Sequence, residues 1–253
     1  MKVHHRLDGP DGAPVLVLAN SLGTELELWS RNVPRWQGSF RVLRYDLRGH
    51  GATPVSPEPF GVDDLGRDIL ELLDDLGIGR VSFCGLSVGG AIGQWLATNE
   101  PGRIERLVLA CTTARFGEPE QWLQRAAKVR AEGVEAIADS VLARWFTPAM
   151  ADEDVAAYRE MLIGTPAEGY AAACEALARW DFRDRVGKIR TPTLVIVGGA
   201  DPVTASSDVE LLTGGIPNAR LVVLDGAAHL ANVERPDAFG AAVSEHLALQ
   251  EAA

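Results

Sequence analysis

The stretch VSFCGLSVGGAIG, residues 81–93, decides the fold. A mostly apolar run leads into Gly85-Leu86-Ser87-Val88-Gly89, and small residues then begin what is predicted to be a helix. In a G-x-S-x-G turn between a strand and a helix, the serine has a strained backbone and its neighbours must be small. The five-residue pattern alone also fits a polar residue in a glycine-rich connection. The flanking strand and helix favour Ser87 as a nucleophile.

Six short apolar runs are predicted to be strands, because they are rich in Val and Leu and are bounded by Gly, Pro, Asn or Asp. They are PVLVLAN (14–20), FRVLRYD (40–46), RVSFCG (80–85), RLVLACT (106–112), PTLVIVGG (192–199) and ARLVVLD (219–225). Near-continuous hydrophobicity indicates strands covered on both faces, as in a parallel sheet. Helical patterns alternate with them, for example 63–76, and 236–249 is predicted to be a closing helix. This alternation predicts a doubly wound α/β fold.

Residues 114–183 break the alternation. They contain no strand-like run but include three of the six tryptophans, Trp122, Trp145 and Trp180. We predict that this interval forms several helices inserted as a lid over the site, with residues 1–113 and 184–253 forming the core domain. The alternative is that the interval only adds helical packing.

Composition excludes several classes of function. The chain has 253 residues and a net charge of −11, which disfavours nucleic acid and anionic membranes as partners. Its apolar runs are far shorter than a bilayer requires. The three cysteines, Cys84, Cys111 and Cys174, fit no zinc pattern. We expect them to be buried thiols in a cytoplasmic protein.

A serine nucleophile needs a base, and two of the five histidines follow predicted strands. Sites in open α/β sheets form outside the carboxyl ends of strands, so both His50 and His229 qualify by position. His229 also gives the chain order serine, acid, histidine that this architecture uses. His50 lies in DLRGHGAT, where we expect it to stabilise the turn and Arg48 to brace it.

Asp201 is predicted to be the acid that orients the histidine. It follows the strand at 192–199 and lies between Ser87 and His229 in the chain, as an acid that fixes the imidazole tautomer should. Asp201-Pro202 could instead be only a turn. Other acids lie at the wrong end of a strand, too close to His229 or in the wrong chain order: Asp181, Asp184, Asp225 and Asp46.

Two backbone N–H groups are candidates for an oxyanion hole. That of Val88 follows the nucleophile at a helix start. The second should come from the loop after the first apolar run, ANSLGTELELW, where position selects Leu22. The side chains of Asn20 and Ser21 are further candidates for shaping the hole and binding substrate.

These segments resemble the α/β-hydrolase superfamily over essentially the whole chain, and within it the 3-oxoadipate enol-lactonases. NSLGT is the most telling, because most relatives have His-Gly at Asn20-Ser21; ARWFT and LANVERP indicate the same subfamily. The resemblance implies a mostly parallel eight-stranded sheet flanked by helices, with a helical lid. It also implies a serine hydrolase of aromatic catabolism that opens a small anionic lactone without a metal or organic cofactor, as a monomer or homodimer.

The implied substrate carries a carboxylate, so an acidic protein must supply a local cation. Lid candidates are Arg115, Lys128, Arg130 and Arg144. Arg144 stands beside Trp145, and this pair could place a cation and an apolar wall in one pocket. For each cation singly, a solvated helix face is the competing interpretation.

Other activities could use the same residues. A carboxylesterase, a C–C hydrolase or a perhydrolase would need the same serine, acid and histidine. A ligand receptor with little turnover is a more distant alternative, and the complete Ser87, Asp201 and His229 set argues against it.

Overall fold

A computed structural model describes residues 2–248, and seven strands form its central sheet. The strands are β1 (His5–Asp8), β2 (Val15–Ala19), β3 (Arg41–Tyr45), β4 (Val81–Leu86), β5 (Ile104–Ala110), β6 (Thr193–Gly198) and β7 (Arg220–Leu224). Their spatial order is β1-β3-β2-β4-β5-β6-β7. Only β1 runs antiparallel to its neighbour, β3. The other pairs are parallel, as the near-continuous apolar runs predicted.

The strand number corrects the expectation of eight. Each of the six apolar runs forms a strand, and His5–Asp8 adds the seventh at one edge of the sheet. Helices and loops occupy the remaining described residues, so no further segment of residues 2–248 pairs with the sheet.

The described residues contain ten α-helices. They are α1 (Val33–Trp36), α2 (Val62–Asp75), α3 (Val88–Asn99), α4 (Pro119–Glu132), α5 (Ala138–Trp145), α6 (Asp152–Ile163), α7 (Ala167–Ala178), α8 (Ser206–Gly215), α9 (Ala231–Glu234) and α10 (Pro236–Ala248). Helix α10 is the predicted closing helix, and residues 249–253 of the predicted core lie outside the described residues. No helix of residues 2–248 is both long and apolar enough to cross a membrane.

Helices α4–α7 lie between β5 and β6, in the interval predicted to be a lid. We call residues 114–183 the lid. Helices α4 and α7 pack against each other, and α5 packs against α6. The lid core is apolar, with Val129, Leu142 and Leu162 buried. The helices therefore form a packed unit rather than a loose loop.

Helix α2 shows how the apolar pattern places a helix on the sheet. The spacing of its apolar residues predicts one face, and four of its five members are buried, whereas Leu76 follows the helix and is partly buried: Leu65, Ile69, Leu72, Leu73 and Leu76. Asp64 accepts a hydrogen bond from the N–H of Gly61 at 2.9 Å, which satisfies one of the free donors at the helix start. The apolar stripe then faces the core, as a period of 3.6 residues requires.

Strand β7 departs from the expectation that all six runs are covered on both faces. Strands β2, β4 and β6 are fully buried. β7 is the edge strand, and its Leu221 and Val223 are 45% and 50% exposed. These residues are two apart and share a face, so one side of this edge is open.

The parallel strands bring four chain segments to one edge of the sheet. The segments after β2, β4, β6 and β7 leave from the carboxyl ends of the strands. In open α/β sheets, sites form outside these ends. The predicted nucleophile, acid, histidine and oxyanion loop are therefore neighbours.

Candidate active site

Ser87 occupies a strained turn between β4 and α3. Its φ of 57° and ψ of −115° place a residue with a side chain in a backbone region that glycine favours. A Cβ added at Gly85 would lie 2.1 Å from the carbonyl oxygen of Gly89. One added at Gly89 would lie 2.4 Å from the carbonyl oxygen of Ala19. The glycines are thus required by close backbone contacts.

Strand β5 and the residues after it hold this turn in place. The N–H of Ser87 donates to the carbonyl oxygen of Ala110 at 2.9 Å. The hydroxyl of Thr112 donates to the carbonyl oxygen of Ser87 at 2.7 Å. Strained backbone persists only where the surroundings determine it, and these two bonds supply that restraint.

Asp201 and His229 form a buried pair. His229 Nδ1 lies 3.0 Å from Asp201 Oδ2, and the two side chains are 4% and 0% exposed. The amide of Val203 and the hydroxyl of Thr204 each donate to Asp201 at 2.8 Å. Burial would raise the pKa of Asp201, but His229 and these donors hold it below its usual value. The carboxylate stays ionised and can orient the imidazole.

One cavity joins the predicted nucleophile, histidine and lid. Ser87 and His229 line it together with Ser21 and Leu22 from the loop after β2. The lid and the loop after β6 supply the remaining wall: Phe116, Trp122, Arg125, Val141, Arg144, Trp145, Tyr170 and Val203. A serine, a histidine held by a buried carboxylate and an apolar wall can together carry out nucleophilic attack on a carbonyl.

The loop after β2 is fastened to the start of α3. The N–H of Gly89 donates to the carbonyl oxygen of Asn20 at 3.1 Å, and Thr24 closes a turn onto Ser21. Val88 is the first residue of α3, so its N–H has no acceptor within the helix. Gly23 has a φ of 77°, and a Cβ there would lie 2.6 Å from Leu162 of the lid. The loop that carries Leu22 is thus bonded to the residue after Val88, and the oxyanion hole formed by their N–H groups stays a prediction.

Asn20 does not take the substrate-contacting position expected for it. Its amide donates to the carbonyl oxygen of Tyr45 at 2.8 Å and accepts from the indole of Trp29 at 2.9 Å. The side chain is fully buried and does not line the cavity. Both polar atoms are already used in positioning the loop, which leaves Ser21 as the polar side chain of this loop at the cavity.

The structure separates the four lid cations. Arg144 and its neighbour Trp145 line the cavity, as predicted for a substrate-binding pair. The other three do not line it: Arg115 pairs with Glu118, Arg130 pairs with Glu168 and Glu175, and Lys128 is exposed. The solvated-face interpretation therefore describes Lys128 and Arg130, whereas Arg115 is partly buried in the loop before α4.

Arg125 is a second cavity arginine that the sequence reasoning missed. Its guanidinium lies over the ring of Trp122, 4.7 Å from the centroid. Trp122 and Arg125 are three residues apart on α4 and share a helix face. A tryptophan beside an arginine is the signal that singled out Arg144 and Trp145. The same criterion applied at helical spacing would have found this second pair.

The two arginines form a cationic wall without an acidic partner. Among residues 2–248, neither Arg125 nor Arg144 takes part in an ion pair with a carboxylate. Burial lowers the pKa of Arg144, and the positive charge of Arg125 lowers it further. Two neighbouring cations that repel each other favour an anion between them.

His50 and Arg48 have the structural positions expected of them. His50 Nδ1 lies 3.0 Å from the carbonyl oxygen of Arg48, and burial lowers the pKa of His50. Arg48 makes a bidentate ion pair with Asp68 of α2 at 2.5 and 2.7 Å. Neither residue lines the cavity.

The sequence of residues 14–236 matches the family described as the alpha/beta hydrolase fold, so the chain belongs to this family. Within it, the chain is 42% identical to 3-oxoadipate enol-lactonase 2 of Acinetobacter baylyi, over 93% of this chain and 89% of that protein.

Two solved structures are also similar. One is the enol-lactonase from Burkholderia xenovorans LB400, with 43% identity, a TM-score of 0.95 and coverage of 98% of this chain and 96% of that one. The other is a hydrolase from Pseudomonas aeruginosa PA01, with 47% identity, a TM-score of 0.94 and coverage of 98% and 94%. The α/β-hydrolase fold expected from the sequence is confirmed.

Proposed function

We propose that this protein is a carboxylic-ester hydrolase that opens the lactone ring of 3-oxoadipate enol-lactone to give 3-oxoadipate in aromatic catabolism. The observation that carries the proposal is the strained Ser87, which lines one cavity together with His229 and two lid arginines. The relatives that share its fold and 42–43% of its sequence bear enol-lactonase names.

The first half of the reaction forms an acyl-enzyme. His229 Nε2 takes the proton of Ser87 as Ser87 Oγ attacks the lactone carbonyl carbon, because Nδ1 faces Asp201. The N–H groups of Leu22 and Val88 stabilise the tetrahedral oxyanion, and one such donor is worth about 3–4 kcal/mol. The ring C–O bond then breaks. The leaving enol oxygen takes the proton from His229 and tautomerises to a ketone, which disfavours reversal.

The second half releases the product. His229 removes a proton from water, which attacks the acyl carbon of the ester on Ser87. The bond between the acyl carbon and Ser87 Oγ breaks, and Ser87 Oγ regains its proton from His229. Asp201 stabilises the imidazolium in both halves, and its lowered pKa keeps it ionised for this task.

The side-chain carboxylate of the substrate binds to Arg125 and Arg144. Both line the cavity that contains Ser87, and both also line the neighbouring cavity with Gln121 and Pro202. Their charge offsets locally the net charge of −11 of the chain. Trp145 supplies the apolar wall beside them, and Ser21 of the loop after β2 also lines the cavity.

The cytoplasm is the proposed location. Cys84, Cys111 and Cys174 are free and buried, which agrees with a reducing compartment. A small anionic lactone is the proposed binding partner.

The test is to compare initial rates of the purified protein on 3-oxoadipate enol-lactone and on p-nitrophenyl acetate. We expect kcat/KM for the lactone to exceed that for the aryl ester by at least about 100-fold, as binding of the carboxylate adds transition-state stabilisation. A strong preference for the aryl ester would identify a general carboxylesterase instead. Turnover of a vinylogous diketone in preference to both would identify a C–C hydrolase.

A further inference from the structure

The end of lid helix α5 is joined to the loop that carries His229. The N–H of His229 donates to the carbonyl oxygen of Arg144 at 3.3 Å, and that of Leu230 donates to the carbonyl oxygen of Trp145 at 3.0 Å. The side chains of Arg144, Trp145 and His229 all line the cavity. Two backbone hydrogen bonds therefore join the segment that forms a cavity wall to the loop that carries the proposed general base.

Glu234 adds a second connection between the same two segments. Its Oε1 accepts from the N–H and the hydroxyl of Thr147, at 2.9 and 2.7 Å. Its Oε2 accepts from the N–H of Ala228 at 2.5 Å. Thr147 is two residues beyond Trp145, and Ala228 directly precedes His229. One carboxylate thus bridges the residues that flank the first connection.

The helix that carries Glu234 is itself fixed to the core. In α9, the amide of Asn232 donates to Asn32 Oδ1 at 3.1 Å and to the carbonyl oxygen of Leu28 at 3.3 Å. The amide of Asn32 donates back to the carbonyl oxygen of Asn232 at 3.1 Å. Both asparagines are buried. Glu234 therefore extends from a rigid base toward the lid.

We propose that Glu234 is a positioning residue that holds the lid segment 144–147 in register with the His229 loop. It does not touch the substrate. It acts through Thr147 and Ala228, and fixes the distance between the cavity wall and the imidazole. The proposal rests on the hydrolase chemistry proposed above, but not on the identity of the lactone.

The substitution Glu234→Gln separates this role from general packing. Glutamine has nearly the same shape, but one of its two terminal atoms is a donor rather than an acceptor. If that donor faces Thr147, the hydroxyl can rotate to accept from it, but the N–H of Thr147 loses its acceptor; if it faces Ala228, the N–H of Ala228 loses its acceptor. In either case one backbone N–H is left unpaired. The other connection remains, and the fold should survive.

The experiment measures kcat per folded protein on p-nitrophenyl acetate at 25 °C, with the thermal midpoint measured in parallel. We expect kcat of Glu234→Gln to fall about 10- to 100-fold, since small misplacements of catalytic groups have effects of this size. Glu210→Gln is the matched control, because Glu210 is exposed on α8 and does not line the cavity, and it should keep the wild-type kcat.

Thr147→Val tests whether Glu234 acts through the lid. It removes the hydroxyl donor but keeps the N–H donor of residue 147, so a smaller loss of kcat is expected. Because Glu234→Ala removes both carboxylate oxygens, adding Thr147→Val to Glu234→Ala should cause no further loss of kcat. Losses that multiply in the double variant would overturn the proposal.

Two further outcomes separate this proposal from the proposed function. A Glu234→Gln variant with wild-type kcat and a lowered thermal midpoint would show a purely structural role and overturn the positioning proposal alone. A wild-type protein that does not open the enol-lactone, combined with slow ester hydrolysis by Glu234→Gln, would overturn the lactonase proposal and support the positioning role.

Discussion

The sheet edge and the lid line the same cavity, but different forces determine their residue positions. At the sheet edge, backbone atoms are so close that added Cβ atoms would lie 2.1 to 2.4 Å from carbonyl oxygens. In the lid, long side chains of intermediate exposure supply the charge, and Arg125 rests on the ring of Trp122. In the proposed function, steric restraint at the edge fixes the positions of the reacting groups, whereas the charge and shape of the lid would select the substrate.

This difference leads to separable losses. Changes at the edge should remove turnover of every ester or destabilise the fold. Changes at the lid arginines should affect only substrates that carry an anion. The following variants test that division.

The largest effect is expected for Ser87→Ala. Removing a serine nucleophile from a triad lowers kcat by about 10⁴- to 10⁶-fold, and the loss should be similar for the lactone and for p-nitrophenyl acetate. Ser82→Ala, on the same buried strand, is the control and should keep its activity. Residual activity of Ser87→Ala within tenfold of wild type would contradict the assigned nucleophile.

Gly89→Ala should damage the edge through its backbone contacts. The new Cβ would lie 2.4 Å from the carbonyl oxygen of Ala19, and neither backbone can move without distorting β2 or the turn. We expect the free energy of unfolding, measured in urea, to fall by about 3 kcal/mol. Gly79→Ala adds a Cβ with no atom within 4 Å, and should change stability by less than about 1 kcal/mol. Equal stabilities of the two variants would show that the turn tolerates a side chain.

Arg144→Gln and Arg125→Gln should each lower kcat/KM for the enol-lactone by about 10- to 100-fold, since a hydrogen bond to a charged group contributes about 1.5–3 kcal/mol. Hydrolysis of p-nitrophenyl acetate should change little, because this ester has no carboxylate. Lys128→Gln changes an exposed cation on α4 and serves as the control. Equal losses on both substrates would mean that the arginines shape the site rather than bind the anion.

The last prediction concerns stability at low pH, and the residue involved, His246, lies away from the cavity. Burial first, and then Arg106 and Arg220, lower the pKa of His246 to about 4. An unfolded histidine has a pKa of about 6.5, so acid protonates the unfolded chain first. The stabilising contribution is therefore complete above pH 6.5 and is lost as the pH falls to about 4.

His246→Gln should remove this dependence. Between pH 7 and 4.5, the free energy of unfolding of the wild type should fall by about 2 kcal/mol more than that of the variant. Activity at pH 7 should be unchanged, because His246 lies on α10 and does not line the cavity. Parallel pH profiles of stability in the two proteins would contradict the lowered pKa.

The sequence predicted the edge better than the lid for a physical reason. Parallel strands deliver their carboxyl ends to one edge, so chain order and strand ends were sufficient to select Ser87, Asp201 and His229. Arg125 was missed because Trp122 lies three residues away from it rather than next to it, so the pair appears only when residues are arranged at helical spacing. Lys128 and Arg130, on the same helix, face elsewhere and were equally plausible cations.

Asn20 and the eighth strand show two other limits. The hydrogen-bond partners of Asn20 are Tyr45 and Trp29, and only the tertiary structure reveals that they use both of its polar atoms. The expected eighth strand came from the resemblance, whereas the apolar runs and the N-terminal strand account for seven. Local pattern found six of the seven strands and missed β1, whereas the resemblance implied one strand too many.

Gly23 has a consequence for the exchange of lids between hydrolases. A Cβ at this residue would lie 2.6 Å from Leu162 and 3.0 Å from Tyr170, so the lid rests directly on the backbone of the loop after β2, which is predicted to supply an oxyanion-hole donor. A transplanted lid would have to reproduce that surface, or it would displace the N–H of Leu22 together with the loop. The lid and the loop therefore form one packed unit. Their contacting residues should be exchanged together when a new substrate range is engineered.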